Sequence, residues 1–143
     1  IIHVNSSEKE LLSLGEIDLK TKAITQNIFL KEKSFKRDSL NKISLISRNA
    51  NKLIYKSNSV TNQFAVFSEA FYYKGWQAYL DGIPVEHYKV NYLLRGIEIP
   101  NGKHEIKFEF KPKVVQRGSL ISVFAYLILI LVLMKLIKEK YYV

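Results

Sequence analysis

Residues 101–134 read NGKHEIKFEFKPKVVQRGSLISVFAYLILILVLM, and two periodicities meet in this stretch. In its first half His104, Ile106, Phe108 and Phe110 alternate with Glu105, Lys107, Glu109 and Lys111, the two-residue repeat of a β-strand with one dry and one wet face. Pro112 closes that strand, because proline lacks the amide proton that a ladder needs. In the second half, residues 120–134 carry no charge and are apolar on every face of a helix, which a domain this small could hardly cover. If Lys135 snorkels, Leu136 and Ile137 extend the run towards the roughly twenty residues that cross a bilayer. The expectation is a strand-rich domain followed by one transmembrane helix at about residues 119–137.

Upstream, the same alternation recurs between turn signals. Asn101-Gly102 follows Ile97 and Ile99, so residues 93–111 read as two strands joined by a tight turn. Asp81-Gly82 is a second such turn, flanked by residues 76–80 and 83–90. Residues 64–73 carry large apolar side chains on both parities, which predicts a central, buried strand. Residues 43–47 and 52–57 form two further strand candidates around the polar turn Arg48-Asn49-Ala50-Asn51. Near the start, Ser6 or Ser7 is placed to cap a short helix through Leu12, with Gly15 just past its end.

The predicted fold class is mainly β: an antiparallel β-sandwich of about six to eight strands followed by one C-terminal transmembrane α-helix. Residues 1–42 are expected to form an irregular lead-in with a short helix, packed on the sheet. Residues 43–112 form the sandwich core, and residues 113–143 a juxtamembrane linker, the helix and a basic tail.

Composition removes several classes of function. The 143 residues suffice for one core, and the absence of cysteine removes disulfides, thiolate nucleophiles and Cys-type zinc sites. The formal charge of +9 would suit an anionic partner. Its basic residues are widely spread, with one dense patch at Lys31, Lys33, Lys36 and Arg37 and two more around the apolar tail, and no nucleic-acid-binding signature accompanies them. Nucleic acid is therefore not an expected partner. The start Ile1-Ile2-His3-Val4, with no signal peptide ahead of an apolar run, reads as that of a fragment.

No catalytic residue emerges. Glu105 and Glu109 share their strand face with lysines, so a solvated, salt-bridged surface explains them better than acid–base chemistry. Asp81 reads as turn chemistry. His3, His87 and His104 lack metal-ligand spacing, and no nucleophile elbow, phosphate loop or zinc-protease motif occurs, so no metal or cofactor is implied. The aromatic residues Tyr72, Tyr73, Trp76, Tyr79, Tyr88 and Tyr92 could supply a platform for sugar faces. Trp76 shares parity with Ala78 and Leu80 and is expected in the core, whereas Tyr79 lies on the opposite face with Gln77. Arg95 interrupts an apolar strand, where it either pairs with an acid such as Glu69 or reaches a lipid or sugar phosphate. The ligand-binding candidates are Tyr79, Arg95 and Tyr73.

The ordered set Ser68-Glu69, Tyr72-Tyr73, Gly75 to Tyr79, Asp81-Gly82, Asn91 to Arg95, Gly102 to His104 and Phe108 to Pro112, followed by an apolar helix, resembles the C-terminal region of the YfhO family of bacterial integral-membrane proteins. Looser similarity extends upstream over nearly the whole chain. Lys74 is a departure, since many members carry proline after the aromatic pair. The resemblance implies a long multi-pass parent that looks like the GT-C class of glycosyltransferases and uses a lipid-phosphate-linked sugar. Its acidic catalytic residues are expected in an early extracytoplasmic loop outside this chain. The implied role is a noncatalytic accessory domain and last membrane helix; a glycan- or envelope-polymer-binding module or a partner-docking domain is the alternative. The implied partners are the lipid bilayer, the upstream spans of the parent and a polyprenyl-phosphate sugar or envelope glycan. The implied location is the bacterial cytoplasmic membrane, with the β-domain on the extracytoplasmic side.

Lys111, Lys113 and Arg117 before the helix nearly balance Lys135, Lys138 and Lys140 after it, so the positive-inside rule does not choose an orientation. The expected topology gives a direct test in a cysteine-free background. In intact cells a membrane-impermeant thiol reagent should label Lys103→Cys and spare Lys140→Cys; the reverse pattern would invert the topology.

Overall fold

A computed structural model describes residues 1–31, 33–35 and 40–141, apart from the side chains of Gln116, Glu139 and Tyr141. Lys36 and Arg37 of the expected basic patch lie outside the described residues. In chain order the elements are β1 (Ile2–His3), α1 (Ser7–Ser13), β2 (Ile24–Thr25), a 3-10 turn (Ile28–Leu30), β3 (Lys42–Asn49), β4 (Lys52–Ser59) and β5 (Gln63–Ala70). There follow β6 (Trp76–Leu80), β7 (Ile83–Val85), β8 (Tyr88–Val90), β9 (Leu94–Ile99), β10 (Gly102–Phe110) and α2 (Lys113–Tyr141). The chain divides into two units, Ile1–Phe110 and Lys111–Val143.

The first unit is a mainly antiparallel β-sandwich. One sheet has the order β3-β4-β10-β6-β7 and the other β5-β9-β8, while β1 and β2 form a separate parallel pair. Strand β10 sits in the middle of the larger sheet, and its alternation turns one face inward. Phe108 lies opposite Leu53 on one side and Ala78 on the other, and Ile106 opposite Tyr55 and Leu80. These inward residues meet Ala65 and Phe67 of β5 and Ile97 and Ile99 of β9, giving one core between the sheets. The Phe67 and Phe108 rings pack edge-on with centroids 4.9 Å apart. On the outer face Lys107 pairs with Glu109 at 3.6 Å, as expected of a salt-bridged surface.

Three readings need correction. Residues 93–111 are not a hairpin: β9 and β10 belong to different sheets. Pro100 stands between them and cannot donate to a ladder, so the chain crosses the sandwich there instead of folding back. The strand over residues 64–73 is not central. β5 ends at Ala70 and forms an edge of the smaller sheet, with Phe64 and Val66 on its outer side and Tyr72 and Tyr73 beyond its end. Only Ile83–Val85 of residues 83–90 completes the Asp81-Gly82 hairpin; Tyr88–Val90 pairs with β9 in the other sheet.

A hydrogen-bonded clasp ties the lead-in to the residues between β8 and β9. Ser6 caps α1, its hydroxyl accepting from the Lys9 amide at 3.2 Å. That places Glu10 inside the fold, where Oε1 accepts from the Tyr92 amide at 2.9 Å and Oε2 from Gln26 Nε2 at 2.6 Å. Asn91 then bonds Ile24 twice, its Oδ1 accepting from the Ile24 amide and its own amide donating to the Ile24 carbonyl, both at 2.8 Å. Asn91 and Tyr92 reach this geometry with φ of 48° and 67°, a left-handed conformation that asparagine tolerates better than most residues.

The second unit contains α2, of which Lys113–Lys138 is long and apolar enough to cross a bilayer, its most apolar 18-residue stretch having mean hydropathy 2.8. It starts upstream of the apolar run itself. Pro112 accepts the Val115 amide at 3.1 Å, and a proline at a helix start removes no amide that the helix needs.

The Asp81-Gly82 turn has φ of 51° and 83°, the two positive values of a type I′ hairpin. Asp81 does more than turn the chain: Oδ1 accepts from the Glu105 amide at 2.8 Å and Oδ2 bonds His104 Nδ1 at 2.6 Å. The bond to His104 and then that from Glu105 hold the Asp81 carboxyl below its usual range. The bond to Asp81, and then that to the Asn101 carbonyl, raises the His104 imidazole above its usual value. A lowered carboxyl stabilises the fold above its unfolded value of 3.8 and loses that contribution as pH falls through the folded value. A raised imidazole stabilises fully below 6.5 and loses its contribution as pH rises through the folded value. The stability advantage of wild type over Asp81→Asn should therefore peak between these limits and shrink on both sides. Chemical denaturation of the full chain in neutral detergent across pH measures it, and a pH-independent difference would exclude the ion pair.

Candidate functional site

Residues 71–75, FYYKG, connect the two sheets and lead into Trp76 and Gln77 of β6. The Phe71 amide donates to the Leu93 carbonyl at 2.7 Å, and the Gly75 and Trp76 amides both donate to the Tyr72 carbonyl. This tight loop needs glycine at 75, since a Cβ there would lie 2.2 Å from the Phe110 ring. Its packing turns Tyr73 outward, 67% exposed, and starts β6 with Trp76 facing the interior. From the lead-in, Asn27 caps the 3-10 turn by accepting the Phe29 amide at 2.9 Å. Leu30 is thereby buried while Phe29 stays 74% exposed.

These two loops and the β7–β8 connection enclose a cleft of about 400 Å³. Phe29, Tyr73, Trp76, Pro84 and Tyr88 give it an apolar wall, and Asn27, Gln77, Glu86 and His87 supply polar groups. Burial, and then the Arg95 charge, lower the His87 imidazole below its usual value, which favours the neutral ring. Its Nε2 is buried with no hydrogen-bond partner among the described residues. Burial, and then Glu86, raise the Tyr88 phenol, whose hydroxyl donates to Glu86 at 3.2 Å. Glu86 is the sole carboxylate lining the cleft among the described residues. Rings that can stack on the apolar faces of a sugar, beside amides and a carboxylate that can bond its hydroxyls, suit binding better than acid–base catalysis. Among the described residues no group of three His, Cys, Asp or Glu is placed to hold a metal ion.

The structure separates the three ligand-binding candidates. Tyr73 lines the cleft. Tyr79 sits on the outer face of the larger sheet, with Lys107 Nζ 4.3 Å from its ring centroid, and its hydroxyl donates to Gln77 Oε1 at 2.7 Å. It therefore touches the cleft through Gln77 alone. Arg95 is turned into the core and is 1% exposed. Its guanidinium lies 4.4 Å from the Trp76 ring and 4.9 Å from that of Phe108, and Nη2 donates to the Ala70 carbonyl at 2.9 Å. Nε and Nη1 have no partner among the described residues. Burial lowers the Arg95 pKa, with Glu69 acting in the opposite direction; Glu69 itself makes its ion pair with Arg48, at 3.7 Å. Phe29, Asn27 and Glu86 are residues that sequence reasoning missed. The exposed Phe beside an Asn cap was the available signal, in a segment with no clear period.

A family model described as "Bacterial membrane protein YfhO" matches residues 14–122. No curated protein and no solved structure matches the chain.

The Trp76–Arg95 stack yields a prediction about stability. Trp76→Ala, which uncovers a buried cation, should cost about 3 to 5 kcal/mol. Arg95→Met should remain within about 1.5 kcal/mol of wild type, because removing a poorly paired buried charge offsets the lost stacking and the bond to Ala70. Denaturation followed by β-type circular dichroism reads both. A loss above about 3 kcal/mol for Arg95→Met would mean that the guanidinium is well paired.

Proposed function

The chain belongs to the YfhO family of bacterial membrane proteins, and on that premise we propose that it is a noncatalytic, extracytoplasmic accessory domain and the last membrane helix of a lipid-linked-sugar-dependent glycosyltransferase. The observation that carries this reading is the aromatic cleft formed in part by the Tyr73–Trp76 segment, with a single lining carboxylate among the described residues. Phe29 and Tyr73 stack on sugar faces, and Gln77 and Glu86 bond hydroxyls. Tyr79 orients the Gln77 amide, and Arg95 supports the Trp76 ring from the core side. The cleft thus holds sugar units of the glycan for a reaction performed elsewhere in the parent. A carboxylate pair for that reaction is expected in the upstream loop that the resemblance implies.

The test uses the parent protein in membranes with a polyprenyl-phosphate sugar donor. Two stacking rings are worth about 0.5 to 1.5 kcal/mol each, so a Phe29→Ala, Tyr73→Ala double variant should raise the glycan KM by about tenfold at unchanged kcat. An unchanged KM would remove the cleft from glycan binding. A collapse of kcat alone would place these residues in the chemistry and end the noncatalytic reading.

A further inference from the structure

The outer face of the larger sheet is uneven in how it treats its lysines. Towards one end Lys107 is satisfied within the protein, by Glu109 and by the Tyr79 ring. Towards the other end Lys42, Lys56 and Lys103 border a groove of about 490 Å³ together with Ser44, Asn58 and Glu105. The ladder fixes their arrangement. Lys42 and Lys103 stand on either side of Asn58, and Lys56, one step along that face, stands between Ser44 and Glu105. Strand spacing puts the three lysine Cα atoms about 8 to 10 Å apart, within reach of one another at the tips of four-carbon side chains.

Among the described residues, none of these three lysines makes an ion pair, and Glu105 is the only carboxylate lining the groove. Lysines on an edge strand discourage sheet-to-sheet association, which accounts for Lys42 on β3. It does not account for Lys56 and Lys103 on the second and third strands of the order. Three like charges about 8 to 10 Å apart repel, and Glu105, directly opposite Lys56, is one carboxylate against three ammonium groups. A ligand that neutralises them relieves that repulsion.

We propose that this groove binds a phosphate ester, with the ammonium groups of Lys42, Lys56 and Lys103 around the phosphate oxygens and the Ser44 hydroxyl and Asn58 amide as further donors. Lysine serves as a mobile point charge for phosphate, and three of them suit the tetrahedral distribution of its oxygens better than the planar pairing of a carboxylate. The groove volume admits the phosphate together with the first groups of its ester substituent. His104 at the rim is already engaged by Asp81 and the Asn101 carbonyl and adds no donor. The site is separate from the aromatic cleft and does not depend on the glycan reading.

The full chain in neutral detergent is titrated at constant ionic strength with inorganic phosphate and, separately, with dihexanoyl phosphatidic acid, following the amide shifts of Ser44, Lys56 and Asn58. Saturable shifts confined to the groove are expected. Combined Lys42→Gln, Lys56→Gln and Lys103→Gln substitution should weaken binding by about tenfold or more. Combined Lys9→Gln, Lys20→Gln and Lys22→Gln substitution, which removes the same charge from the lead-in, should leave it unchanged. Tighter binding of the lipid assigns the groove to a headgroup; equal binding assigns it to the phosphate group alone, and both support the site. Absence of saturable shifts with both probes, or equal weakening in the lead-in variant, overturns it.

Discussion

The edge-on contact of Phe67 with Phe108 joins the two sheets, and the rest of the domain is arranged around it. Tyr55 closes the cluster, with its ring 4.8 Å from Phe67 and 6.2 Å from Phe108. Aromatic rings bury large areas and hold preferred angles, so a few of them can set the separation of two small sheets. Beside this cluster lies Arg95, whose charge is covered by Trp76 and Phe108 but met by a single hydrogen bond among the described residues. An interior cation so poorly paired is expensive. It packs on the ring of Trp76, which also lines the aromatic cleft.

Three of the motifs that carry the family resemblance have structural explanations. Asn91 and Tyr92 serve the clasp that binds the lead-in, through two left-handed residues and the buried Glu10. Asp81, Gly82 and His104 serve one hairpin, in which the carboxylate bridges the turn to β10. These residues act through backbone geometry, while the exposed Tyr73 and Phe29 have no comparable structural duty. That contrast locates the candidate binding surface, because large exposed rings gathered at a cleft bring the fold little stability and suit recognition.

Charge is divided in a similar way. Lys107 and Glu109 neutralise each other on the sheet surface, Lys33 pairs with Glu98 across a long sequence separation, and Arg48 reaches Glu69. Exposed pairs of this kind contribute little stability each. Against that background the lysine trio at the groove, unpaired among the described residues, is an uneven distribution of charge over the sheet.

Much of this architecture was legible in local sequence. The parity of residues 104–110, the cap at Ser6, the Asp81-Gly82 turn, the β3–β4 hairpin and the apolar C-terminal helix follow from side-chain period and backbone preference within a few residues. The sorting of strands into sheets did not follow. Asn101-Gly102 looks like a hairpin turn, yet the chain crosses the sandwich there, because hydrogen-bond partners are chosen among all strands at once and proline has no amide to offer. The cleft was only partly legible: Tyr73 was visible as an aromatic candidate, but its neighbour Phe29 comes from the lead-in, brought there once Asn91 and Glu10 dock that segment. Arg95 was visible as an interruption in an apolar strand, and tertiary packing alone decided that it points inward beneath Trp76. Local period tells which face of a strand is dry; only the long-range packing of one face on another decides what that face meets.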